Sequence, residues 1–70
     1  MDNGKVLGEI VRNETEKLVI TEKEFKGHRY IDIRIHFQGN NGIYLPTKKG
    51  VTISPRHVKD AVEILKKGIV

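Results

Sequence analysis

The sequence predicts an α+β domain: a four-stranded antiparallel β-sheet followed by one C-terminal amphipathic α-helix. Residues 1 to about 53 are rich in Val, Ile, Thr and aromatics and are broken at Asn13, Gly27, 39–42 and 46–50, the punctuation of a meander of short strands. Residues 54–70 instead carry apolar side chains at helical spacing. The two patterns do not interleave, there is no linker and no repeat, and 70 residues make one domain, 1–70.

The first strand, KVLGEIVR, alternates loosely, and the polar NETEK that follows reads as a turn before LVITEKEFK. Gly27 can supply the positive φ of a tight hairpin. HRYIDIRIHF then alternates well, with Ile31, Ile33, Ile35 and Phe37 on one face and Tyr30, Asp32, Arg34 and His36 on the other. QGNNG is a further turn, and KKGVTI is read as a short fourth strand that points Val51 and Ile53 the same way. The single serine, Ser54, precedes Pro55, and that pair predicts a helix start with the hydroxyl capping free amides. Val58, Ala61, Val62 and Leu65 follow at i, i+3, i+4 and i+7, Lys66 and Lys67 suit the negative end of the helix dipole, and Gly68 can close the helix. Ile64, Ile69 and Val70 widen the apolar arc beyond what one sheet face needs, which predicts a helix-to-helix homodimer contact.

Dimerisation also answers a problem of size. A chain this short hides only about 60% of the surface that its unfolded form exposes, and small scaffolds are held by disulfides, a metal or a second subunit. With no cysteine, disulfides and the common zinc patterns are excluded. No apolar run approaches the roughly 18 residues of a membrane span, and MDNGKVLGEI lacks the basic start and apolar centre of a signal peptide. An unprocessed, cytoplasmic chain without a membrane partner is expected.

The residues also argue against catalysis. The one serine is claimed by the helix start, and no cysteine offers a nucleophile. His28 and His36 lie eight residues apart on one strand, about 26 Å at about 3.3 Å per residue, too far to share an ion. Glu22 and Glu24 share a strand face but read as surface charge beside a neighbouring strand's cations, and no glycine run makes a phosphate loop. No reaction, cofactor or metal is expected.

Binding is the stronger reading. Thirteen Lys and Arg against nine Asp and Glu give a formal charge of +4 and a pI near 9.6, in the range where a nucleic-acid footprint is worth seeking. The cations concentrate at Lys23 and Lys26, at His28, Arg29 and Arg34, and at Lys48 and Lys49, on strands that neighbour one another in a meander. Phe25, Tyr30, Phe37 and Tyr44 lie among them. Aromatics flanked by cations are what an unstacked base and its phosphate require. A duplex reader is disfavoured because the single helix lacks a helix-turn-helix partner and exposes Asp60 and Glu63.

FKGHRYIDIRIHF, the glycine-containing loop, LPTKKGVTISP and the amphipathic helix together resemble the C-terminal domain of the transcriptional coactivator positive cofactor four family. That family's pattern runs approximately Phe-Lys-Gly-Lys, an Ile-Asp-Ile-Arg strand ending in aromatics, then Pro-Gly-Lys/Arg-Lys-Gly-Ile-Ser-Leu and a helix. The match needs no gap from about Lys23 to Val58, about half the chain, and FKG, IDIR and KKG at these spacings are far more specific together than singly. The resemblance implies a homodimer joined through its helices, whose sheets bind melted or single-stranded DNA with little sequence preference, as in small prokaryotic members. On it, Phe25 and Phe37 stack on bases, Lys23, Lys26, Arg34, Lys48 and Lys49 hold phosphates, and His28 stands where the family commonly has lysine. Phe37 replaces the tryptophan of the best-known members, Ile35 stands where an acid is frequent, and Thr47 stands where glycine is common. No Ser-rich or acidic N-terminal region is expected, so the phosphorylation-controlled coactivation of eukaryotic relatives is not carried over.

The expected function is sequence-tolerant single-stranded DNA binding in support of transcription, replication or repair, with the transcription machinery as a protein partner and a nucleoid location if the source is prokaryotic. Two alternatives stay open: RNA on the same sheet surface, since nothing in the sequence reads a 2′-hydroxyl, and docking of the dimer on an acidic protein.

Overall fold

The computed structural model describes residues 4–69; residues 1–3 and residue 70, which the readings of the N-terminal stretch and of the apolar helix end included, lie outside them. Strands β1 (Lys5–Val11), β2 (Glu16–Phe25), β3 (His28–Gln38) and β4 (Tyr44–Ile53) form one antiparallel sheet in the order β1-β2-β3-β4, and a 3-10 turn, Pro55–His57, leads into helix α1 (Val58–Lys66). The expected architecture is the observed one.

Each turn has a local cause. Asn13 Oδ1 accepts hydrogen bonds from the backbone N–H groups of Thr15 (3.0 Å) and Glu16 (2.9 Å), so an Asx turn joins β1 to β2. Lys26 and Gly27 have φ of 51° and 80°; a two-residue type I′ hairpin needs positive φ at both positions. Between β3 and β4, Gly42 has φ 81° and Asn41 Oδ1 accepts from the Ile43 N–H at 3.0 Å.

Three expectations need correction. The fourth strand is longer than KKGVTI: it begins at Tyr44 and contains Pro46, which is tolerated because β4 is an edge strand with a single neighbour. Ser54 makes no side-chain cap; the 3-10 turn after it closes through the backbone bond from His57 N–H to the Ser54 carbonyl at 2.9 Å, and α1 starts only at Val58. Gly68 donates its N–H to the Leu65 carbonyl (3.0 Å) but is not among the residues of positive φ, so the helix ends in αR backbone at Lys67 without a left-handed glycine.

The pleat sorts the side chains onto two faces. Register pairs Leu18, Ile20 and Glu22 with Ile35, Ile33 and Ile31, and Ile33 and Ile31 with Val51 and Ile53; these residues share the face that carries α1. Val58, Ala61, Val62 and Leu65 look onto Ile20, Ile31, Ile33 and Ile53 across an apolar space of about 190 Å³. The opposite face, free of the helix, holds Lys17, Val19, Thr21, Lys23 and Phe25 of β2 against His36, Arg34, Asp32, Tyr30 and His28 of β3. The core is thin: Val19, at 2% exposure, is the one buried apolar side chain among the described residues.

Candidate nucleic-acid interface

The open face gathers cations in part because the pleat sends the acids of β2 to the other side. On β2, Glu16, Glu22 and Glu24 share the parity of the helix face, whereas Lys17 and Lys23 share that of the open face. Glu22 is ion-paired there with Arg29, which answers the Glu22–Glu24 pairing as surface charge balanced by a neighbouring strand. Among the described residues, the two acids on the open face are both engaged by cations: Glu9 with Lys17 at 2.9 Å and Asp32 with Arg34 at 3.0 Å.

Arg34 organises the middle of this face. Its Nε donates to both oxygens of the buried Asp32 carboxylate (3.3 and 3.2 Å), Nη2 donates to Asp32 Oδ1 (3.0 Å), and Nη1 donates to the Thr47 carbonyl at 2.8 Å. The hydrogen bond to Asp32, reinforced by its charge, raises the guanidinium pKa above its ordinary value, so the side chain is a fixed cation.

The Thr47 carbonyl belongs to a bulge. Gly50 lies opposite Arg34 and Pro46 opposite His36, so Ile35 alone faces the three residues Thr47, Lys48 and Lys49. Thr47 Oγ1 donates to the Ile35 carbonyl at 2.7 Å and accepts from the Lys49 N–H at 3.2 Å. Thr47, where glycine is common in the family it resembles, is not among the positive-φ residues, and its hydroxyl holds the bulge instead. Lys48 and Lys49 ride on it, exposed. Gly50 is required for close approach, since a Cβ there would meet Arg34 Cζ and the Ile33 carbonyl oxygen, each at 2.8 Å.

Lys23, Phe25 and His28 lie together on the open face at its hairpin end, with Lys26 in the turn. Phe25 is 64% exposed, and Lys26 Nζ stands 5.3 Å from its ring centroid. Arg34 and the Lys48–Lys49 bulge follow toward β4. Phe37 is not brought to this face: it pairs with Glu16 and Leu45, on the side of Ile33 and Ile35, where it is 48% exposed. It joins a ligand on the open face only by a strand rounding the end of the sheet or through a second protomer. Among the described residues no cluster of three metal-ligating groups occurs.

His36 stands next to Lys17 in the register and is half-buried. Burial first, and then the Lys17 charge, lower its pKa below 6.5. The unfolded chain therefore binds more protons than the folded one between the lowered pKa and the ordinary histidine value. The stabilisation is whole above about pH 6.5 and is lost as pH falls through the lowered pKa. Urea midpoints should fall between pH 7.5 and pH 5.5, and His36→Gln should flatten that leg; an equal slope in the variant would assign the loss to other groups.

Sequence reasoning placed Tyr44 among the cations and noted Thr47 in its turn, but it missed Lys17, the contact that joins Lys17 to Tyr44, the Thr47 hydroxyl as the anchor of the bulge, and Gly50. Lys17 and Tyr44 are 27 residues apart in number but one strand apart in space, with Lys17 Nζ 4.3 Å from the Tyr44 ring centroid. The Lys-Gly pair of KKG was the available signal for Gly50.

The family model described as Transcriptional Coactivator p15 (PC4) matches residues 12–64. Among solved structures, a PC4 homologue from Burkholderia pseudomallei in an orthorhombic crystal form superposes with a TM-score of 0.89 at 25% identity, covering 97% of this chain and 92% of that one. A tetragonal form of the same protein gives 0.87 at 24% identity, with 94% and 97% covered. A bacteriophage T5 homologue of the eukaryotic transcription coactivator PC4, described as implicated in recombination-dependent DNA replication, gives 0.58 at 25% identity, covering 93% of this chain and 70% of that one. No curated protein gives a significant match.

Proposed function

Because the chain belongs to the transcriptional coactivator p15 (PC4) family, we propose that it acts as a homodimer that binds single-stranded DNA, with little sequence preference, on the helix-free face of its sheet. The observation that carries this reading is the segregation of charge by the pleat: Lys23, His28 and Arg34 share one face with the exposed Phe25, while Glu16, Glu22 and Glu24 take the other. Phosphates meet the cations of the hairpin, Arg34 and the Thr47–Lys49 bulge, and a base stacks on Phe25. Binding is equilibrium capture with no covalent step: strand held on the sheet is withdrawn from reannealing, so melted duplex accumulates by mass action. That suits a role in transcription or in replication, the process in which the phage T5 relative is implicated.

Lys48 and Lys49 give the direct test. If each neutralises one phosphate, the double variant Lys48→Ala/Lys49→Ala should bind a single strand more weakly, and its plot of log affinity against log salt should be shallower by about 1.4, two contacts at about 0.7 each. An unchanged slope would remove the bulge from the interface.

A further inference from the structure

We propose that Tyr44 is a second base-stacking position on the open face, gated by Lys17, so that one strand runs along β2 and β3 from the Lys26–Gly27 hairpin to the Tyr44 end of the sheet. The inference rests on the single-strand reading above and adds to it a residue pair that lies outside the FKG, IDIR and KKG triplets.

The geometry comes from three strands. Register sets Lys17 of β2 opposite His36 of β3, and Tyr44 of β4 opposite Gln38 of β3. Tyr44 therefore has the parity of His36, Arg34 and Phe25, which places it on the same face as Phe25 and on the opposite face from Phe37. Lys17 reaches across β3 until its Nζ stands 4.3 Å from the Tyr44 ring centroid, and Glu9 holds the same ammonium at 2.9 Å. A cation parked over an aromatic ring is the arrangement that a nucleotide can take over: the base displaces the ammonium from the ring, and the ammonium moves to the phosphate. The exchange is favourable in magnitude. A stacked base is worth about 5- to 150-fold in affinity, whereas an exposed ion pair such as Glu9–Lys17 is worth less than about 5-fold.

The spacing suits one continuous strand. Phe25 and Lys17 are eight residues apart on β2, about 26 Å at about 3.3 Å per residue, the axial length of about eight stacked nucleotides at 3.4 Å each. Lys23, Arg34 and His36 lie between the two ends on the same face.

The chain has no tryptophan, so Tyr44→Trp supplies a lone fluorophore at the proposed position. Titrated with a 12-nucleotide thymidine strand, its emission should be quenched with the same midpoint as the anisotropy of a labelled copy of that strand. Tyr44→Leu, which keeps an apolar side chain without an aromatic face, should lose about 5- to 150-fold in affinity with an unchanged melting temperature, and Tyr44→Phe should bind like the parent. Binding by anisotropy without quenching, or a Tyr44→Leu variant that binds like the parent, overturns the proposal while the function stands. A parent chain that binds no single strand at all overturns the function itself, and the stacking position with it.

Discussion

Replacing Ile64 and Ile69 together with aspartate should turn the protein into a destabilised monomer. Ile64 on α1 is 64% exposed and Ile69 beyond it 78% exposed within one chain. If both stayed in water, substitution would cost less than about 0.5 kcal/mol apiece. If they are buried between subunits, each loses about 1.5–3 kcal/mol of apolar burial, and a carboxylate is placed where water is excluded. For a domain of this size about 1 kcal/mol moves the melting temperature by about 4–8 °C, so a fall of more than about 12 °C is expected, together with a sedimentation coefficient that halves the mass. The thin core gives the reason. Val19 is the one buried apolar side chain among those described, the space under α1 is lined by apolar groups alone, and Ile10, Leu45 and Val51 are exposed on the sheet. A parent that sediments as a monomer at micromolar concentration, or a double variant that melts within a few degrees of it, would contradict the dimer.

Gly50→Ala should injure stability and binding together. The added Cβ would meet the Ile33 carbonyl oxygen at 2.8 Å, Arg34 Cζ at 2.8 Å and Arg34 Cβ at 3.0 Å. Two of these atoms, the carbonyl and Cβ, belong to β3 itself and cannot swing aside as a flexible tip would. Either β4 moves away from β3, at a cost of about 1–3 kcal/mol, or Arg34 leaves its place between Asp32 and Thr47 and the bulge loses its anchor. Chemical denaturation should show the loss, and single-strand affinity should fall with it. Gly8→Ala is the control: nothing lies within 4 Å of its Cβ and its φ is not left-handed, so it should be neutral or stabilising by up to about 1 kcal/mol. Equal behaviour of the two variants would show that close approach is not what Gly50 provides.

Much of this was legible in the sequence, because period and punctuation are local. The alternation from Tyr30 to Phe37 fixed which side chains of β3 share a face, and Gly27 marked the hairpin where Lys26 and Gly27 both have positive φ. The same alternation already set Phe37 apart from Arg34. What the sequence hid depends on register between distant segments. Pro46 and Gly50 read as breaks, yet β4 runs through both, because a bulge held by the Thr47 hydroxyl absorbs the two extra residues. The Lys17–Tyr44 contact exists only once β3 lies between their strands. Ser54 was misjudged for a different reason: serine before proline permits a side-chain cap, but the backbone closes a 3-10 turn there first.

The open face is the centre of the account, and one titration tests it. Fluorescence anisotropy of a labelled 20-nucleotide DNA strand, of its duplex and of the RNA of the same sequence should be followed across a series of salt concentrations. Submicromolar binding of the DNA strand, clearly tighter than the duplex and weakening steadily as salt rises, is the predicted result. Equal and feeble binding to all three would contradict it and turn attention to an acidic protein as the partner of these cations.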